Sequence, residues 1–91
     1  MKAEQWIDRV KAAKGIESDY GVAKFLHVTP QAVSGYRSKT PTMNEETSIK
    51  VAEALGLEPA SVLLDQIAEQ TKNPAARTAL FAVSRRLSSL C

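Results

Sequence analysis

Apolar residues recur along most of this chain at the spacing of three and four that marks one face of a helix, rather than the alternate spacing of a strand. Trp6, Ile7, Val10 and Ala13 form the first such stripe, with Glu4, Asp8, Arg9, Lys11 and Lys14 on the remaining faces. A helix over roughly residues 3–14 follows, with Gly15 placed to end it. Trp6 lies on the stripe and reads as a core anchor.

Ser18 or Asp19 can cap a second, short helix whose apolar face is Val22, Ala23, Phe25 and Leu26, with Lys24 pointing away. The next helix opens at Thr29-Pro30, where the threonine oxygen caps free amides and proline at the first position loses no needed donor. So few residues separate the two helices that only a tight turn fits, which is the length of a helix-turn-helix. The third helix, residues 30–37, contains Gly35, and glycine inside a helix costs about 1 kcal/mol relative to alanine. Either Gly35 ends a very short helix or something requires the missing side chain.

The polar tract SKTPT then offers Thr42 or Asn44 as the next cap. A fourth helix over about 45–55 carries Ile49, Val51, Ala52 and Leu55, has Glu45 and Glu46 at its positive end, and stops at Gly56. Pro59 opens a fifth, in which Val62, Leu63 and Ile67 recur, while Asp65 and Glu69, one turn apart, read as a solvated face. Asn73-Pro74 interrupts the pattern, and a sixth helix places Leu80, Val83, Leu87 and Leu90 on one side.

Ninety-one residues with 44% hydrophobic content suit one small core, and the scarcity of aromatics beside abundant Ala, Leu, Lys and Glu points to an all-α fold. Cys91 is the lone cysteine, so no internal disulfide and no cysteine zinc site is expected, in keeping with a reducing cytoplasm. The N-terminal MKAEQWIDRVKAAK is charged and amphipathic, unlike a signal peptide or a membrane span; a soluble cytoplasmic protein with no membrane role is expected. No phosphate-binding glycine loop and no cysteine-histidine arrangement is visible, so neither an enzyme nor a cofactor or metal site is expected. The net charge of +2 argues little, but its distribution argues more: no acidic residue lies between Asp19 and Glu45, a window that holds Lys24, Arg37 and Lys39.

The run YGVAKFLHVTPQAVSGYRSKTPTMNEETSIKVAEALGLEPASVLL, residues 20–64, which includes that window, resembles the Cro/lambda-repressor type of helix-turn-helix domain found in phage and bacterial transcription regulators. The resemblance rests on Ala23 in the second helix, Leu26 and Val28 about the turn, Val33-Ser34 in the third helix with Tyr36 after them, and VAEALGL in the fourth. Val22, Leu26, Val28, Val33 and Tyr36 also make physical sense as residues buried together, with Ala23 small where the helices cross. One departure is His27, where the family usually has glycine; a left-handed backbone is expected there, which histidine tolerates less well than glycine.

The resemblance implies a five-helix, lambda-repressor-like DNA-binding domain over residues 1–70, with residues 71–91 as an additional C-terminal helix. It implies sequence-specific binding of a double-stranded DNA operator by a regulator that acts as a repressor, with residues 30–37 in the major groove. Gln31 would read adenine through its amide, Ser34 follows one turn on, and Pro30 and Ala32 offer apolar contact. Gly35 falls on the DNA-facing side, which favours close approach over a helix end. Arg37, Lys39 and Lys24, with Thr29 and Asn44, would hold phosphates. The family binds paired half-sites, so a homodimer through Leu80, Val83, Leu87 and Leu90 is expected, and three basic contacts per subunit give a salt slope of about −5. The alternative is an antitoxin, whose last two helices block a toxin protein while DNA binding serves autoregulation.

Overall fold

Six helices and no strand make up the described residues, 1–89, of a computed structural model: α1 (Ala3–Lys14), α2 (Asp19–Leu26), α3 (Pro30–Ser38), α4 (Glu45–Leu55), α5 (Pro59–Gln70) and α6 (Pro74–Ser89). The all-α expectation holds, and the boundaries follow the capping residues. Ser18 Oγ accepts from the Gly21 amide at 2.9 Å, Thr29 Oγ1 from Ala32 at 3.1 Å and Asn44 Oδ1 from Thr47 at 2.9 Å. Each such cap contributes about 1 kcal/mol. Ser18 and Asn44 are thus the caps of α2 and α4, which leaves the carboxylate of Asp19 free for other partners.

α1 packs against α2, α3 and α4, α5 lies between α4 and α6, and α3 rests on α1 and α2. The core is drawn from Trp6, Ile7 and Val10 of α1, Val22, Ala23 and Leu26 of α2, Val33, Val51, Ala52 and Val62, joined by Met43 from the loop before α4. Tyr36 and Val28 are half-buried against it, as their spacing predicts.

Three residues of the stripes predicted for α1, α2 and α5 are exposed. Phe25 is 45% and Ile67 51% exposed, and Ala13 is exposed in the last turn of α1. α2 has only two turns, and Val22, Ala23 and Leu26 fill its inner side; Phe25, one position before Leu26, is rotated about 100° off that side. On α5 the inner side is Ser61, Val62, Asp65, Gln66 and Ala68, so the buried face is more polar than the apolar periodicity suggested.

Asp65 and Glu69 are not a solvated face. Asp65 is 6% exposed, and its Oδ2 accepts from the Trp6 indole Nε1 at 2.9 Å and from Gln66 Nε2 at 3.1 Å. The Met1 ammonium lies 3.0 Å from Asp65 Oδ2 and 2.8 Å from Glu69 Oε2. Gln66 extends the cluster, accepting from the Met43 amide at 2.8 Å and donating to the Met1 carbonyl at 2.9 Å. A buried carboxylate is tolerable only with such partners, and here they join α1, the loop before α4, and α5.

α6 is anchored along α5. Ser84 Oγ donates to the Ser61 carbonyl at 2.6 Å, and Arg77 Nη1 donates to the carbonyls of Ala68 (3.1 Å), Glu69 (3.1 Å) and Thr71 (3.3 Å), satisfying the end of α5. Leu80 and Leu87 are half-buried and Val83 is 39% exposed, while Leu90 lies outside the described residues. No helix among the described residues is long and apolar enough to cross a membrane.

Candidate nucleic-acid interface

The turn that aims α3 begins with His27, which adopts φ 58°, ψ 42°, the left-handed conformation expected of it and the only positive φ at a non-glycine position among the described residues. The Val28 amide donates to the Ala23 carbonyl at 3.0 Å, and Lys50 Nζ donates to the His27 carbonyl at 3.2 Å, so both sides of the turn are held. Thr29 then caps α3 and Pro30 occupies its first turn.

α3 runs one residue further than predicted and passes through Gly35 without interruption. Gly35 is therefore no helix end. Two amides, of Lys39 and Thr40, close on its carbonyl at 2.7 and 2.8 Å and finish the helix beyond it. A methyl group built on Gly35 would meet no other part of the protein within 4 Å, so no internal contact explains the missing side chain.

The helix has two unlike sides. Val33 is fully buried and Tyr36 half-buried, and these face α1 and α2. Gln31, Ser34 and Ser38 recur at three and four on the exposed side, beside exposed Pro30, with Ala32 half-buried between the two sides. Ser38 Oγ is turned back onto the Ser34 carbonyl at 3.1 Å, while the Gln31 amide projects outward without a protein partner.

The predicted phosphate ligands fall into two groups. Lys24 on α2 and Lys39 at the end of α3 are exposed and carry no acidic partner among the described residues. Thr29 and Asn44 use an oxygen for capping, which leaves the threonine O–H and the asparagine NH2 as donors. Arg37 is different. Its Nε donates to Asp19 Oδ2 at 2.6 Å, and its Nη2 donates to Asp19 Oδ1 at 2.8 Å and to Asp8 Oδ1 at 2.7 Å. Lys11 Nζ completes the cluster, 3.0 Å from Asp19 Oδ1. The hydrogen-bonded Arg37 guanidinium, helped by Lys11, holds the Asp19 carboxyl down at about 2 against an ordinary 3.8. In return Asp19, and then Asp8, raise the Arg37 pKa further. Arg37 thus joins the end of α3 to α1 and α2.

One exposed residue absent from the predicted set is Tyr20, 66% exposed and one turn before Lys24 on α2. Its position off the Val22, Ala23 and Leu26 face was a usable signal. Among the described residues no group of three His, Cys, Asp or Glu side chains is placed to hold a metal ion. The chain matches no family model, no curated protein and no solved structure. What distinguishes the surface is therefore its geometry: uncharged hydrogen-bonding side chains along one side of α3, a lysine at its end, and a second lysine on the neighbouring helix.

Proposed function

We propose that this protein is a cytoplasmic, sequence-specific DNA-binding regulator of the Cro/lambda-repressor kind, acting as a repressor, with α1 to α5 as the binding domain and α3 in the major groove. The observation that carries this reading is Gly35. An uninterrupted helix keeps a costly glycine on a side where the protein itself would accommodate a side chain, beside exposed Gln31 and Ser34, in a stretch without acids. Close approach of another molecule supplies a reason for that choice. Gln31 offers adenine a paired donor and acceptor, worth about 1–3 kcal/mol of discrimination. Lys24 and Lys39 supply phosphate neutralisation.

Two copies bind related half-sites, paired through the outer side of α6 about Val83, with Leu80 and Leu87 alongside. With Arg37 engaged by Asp8 and Asp19, two lysines per subunit remain, and the dimer's salt slope becomes about −3.6, from roughly −0.9 per phosphate. Selecting bound fragments from random duplex DNA tests the proposal. A twofold-related motif whose binding falls with salt at that slope is expected; the absence of any enriched motif, or a flat salt response, overturns it.

A further inference from the structure

α1 has two opposite sides. Glu4, Asp8 and Lys11 lie toward α3, where Asp8 meets Arg37 and Lys11 meets Asp19. Trp6, Arg9 and Ala13 lie across the helix from them, because residues two or five positions apart fall on nearly opposite faces. Along that second side runs a groove of about 490 Å³ whose other wall is α6, lined by Trp6, Arg9, Phe81, Ser84, Arg85 and Ser88. The Arg9 guanidinium lies 4.9 Å from the Trp6 ring centroid, and exposed Arg85 lines the groove from α6 with no acidic partner among the described residues. Asp65 at the base is committed to the Trp6 indole, Gln66 and the Met1 ammonium.

Charge along the chain singles out the same place. All ten acidic residues lie within residues 1–69, and after Glu69 come only basic ones, Lys72, Arg77, Arg85 and Arg86. Arg77 is taken up by carbonyls of α5 and the loop after it. The groove is accordingly flanked by two guanidiniums, with the half-buried Phe81 ring as its accessible aromatic surface, on the far side of α1 from α3.

We infer that this α1/α6 groove docks an acidic amphipathic helix from a partner protein, with apolar side chains on Phe81 and carboxylates on Arg9 and Arg85. Arginine pairs with carboxylates in a two-pronged geometry, aromatic and arginine side chains dominate binding hot spots, and a helix laid in a groove is a recurrent mode of recognition. Duplex DNA seated on α3 leaves this groove uncovered, so both surfaces can be occupied at once. The inference does not depend on the DNA reading.

The test is a display selection of random 16-residue peptides on the full-length protein, with counter-selection on an Arg9→Glu/Arg85→Glu variant and Arg85→Ala as the milder second variant. Melting temperatures of both variants are compared with wild type. The expected survivors are net acidic, place large apolar residues three and four apart, shift the emission of Trp6, the single tryptophan, and bind Arg85→Ala at least tenfold more weakly. Neutral or basic survivors, or none, overturn the inference. So does competition by random-sequence duplex DNA, which would make the groove a nucleic-acid site.

Discussion

Arg37 and Asp19 are joined by two hydrogen bonds, Nε to Oδ2 at 2.6 Å and Nη2 to Oδ1 at 2.8 Å, across 18 positions of sequence. A guanidinium already shared between Asp19 and Asp8 neutralises little of an approaching phosphate. In the proposed DNA complex its role is to fix the angle of α3. Arg37→Gln should lower stability by about 1 kcal/mol, the upper range for partly exposed pairs, and weaken DNA binding while leaving the salt slope at its wild-type value. Lys39→Gln should make the dimer's slope shallower by about 1.8. Equal changes of slope in the two variants would return Arg37 to the phosphate contacts.

The same pair makes stability depend on pH in a defined window. Asp19 titrates at about 2 when folded and near its ordinary 3.8 when unfolded, so the unfolded chain binds the proton first on acidification. The pair's contribution is present above the unfolded pKa and is lost as pH falls through about 2. With the Asp19 side chain 39% exposed, solvent screening reduces it to about 1 kcal/mol or less. Urea denaturation at pH 6 and at pH 2.5 should show Asp19→Asn less stable than wild type at the higher pH, with the difference reduced to about a third at the lower. A difference that persists unchanged to pH 2.5 would mean the carboxylate charge is not what Arg37 recognises.

Gly35 separates stability from binding. Since a Cβ there meets open space and the backbone is helical, Gly35→Ala should stabilise the protein by about 0.5–1 kcal/mol. Gly35→Leu should leave the melting temperature at or above wild type and abolish operator binding, measured by a mobility shift. Normal binding by the leucine variant would remove the main support for α3 as the reading helix.

Much of the fold was legible because helix ends are written locally. Ser18, Thr29, Asn44, Gly15 and Gly56 each act on amides or carbonyls within a few residues, and the boundaries of α1 and α4 follow from them directly. The polar clusters were not legible, because their partners are remote: Asp8 is 29 positions from Arg37, and Trp6 is 59 from Asp65. Two carboxylates one turn apart look the same whether water or a buried indole receives them. The exposed side of α3 was readable residue by residue, whereas the withdrawal of Arg37 from it depends on how α1 and α2 pack.

The proposed subunit contact is best probed at Val83. Leu87 is half-buried, so a charge there would disturb the monomer as well as a dimer. Val83 is 39% exposed, and Val83→Glu should leave the monomer folded while sedimentation changes from dimer to monomer and affinity for a paired operator falls at least tenfold. A Val83→Glu protein that still sediments as a dimer would place the contact elsewhere.

The Trp6 indole donates to the buried Asp65 carboxylate at 2.9 Å. Hydrogen bonds to charged groups contribute about 1.5–3 kcal/mol; without the indole, Asp65 keeps Gln66 Nε2 and the Met1 ammonium, whereas without the carboxylate the indole N–H is left buried and unpaired. Trp6→Phe keeps most of the ring but withdraws the donor from Asp65, and Asp65→Leu removes the acceptor while filling its space. The double variant should therefore cost less than the sum of the two single changes, because it leaves no indole N–H without an acceptor. A double-mutant cycle followed by far-ultraviolet circular dichroism in urea should give a coupling of about 1.5–3 kcal/mol. Additive losses would show that the carboxylate is held by Gln66 and the Met1 ammonium alone, and that Trp6 stabilises α1 against α5 through its apolar surface.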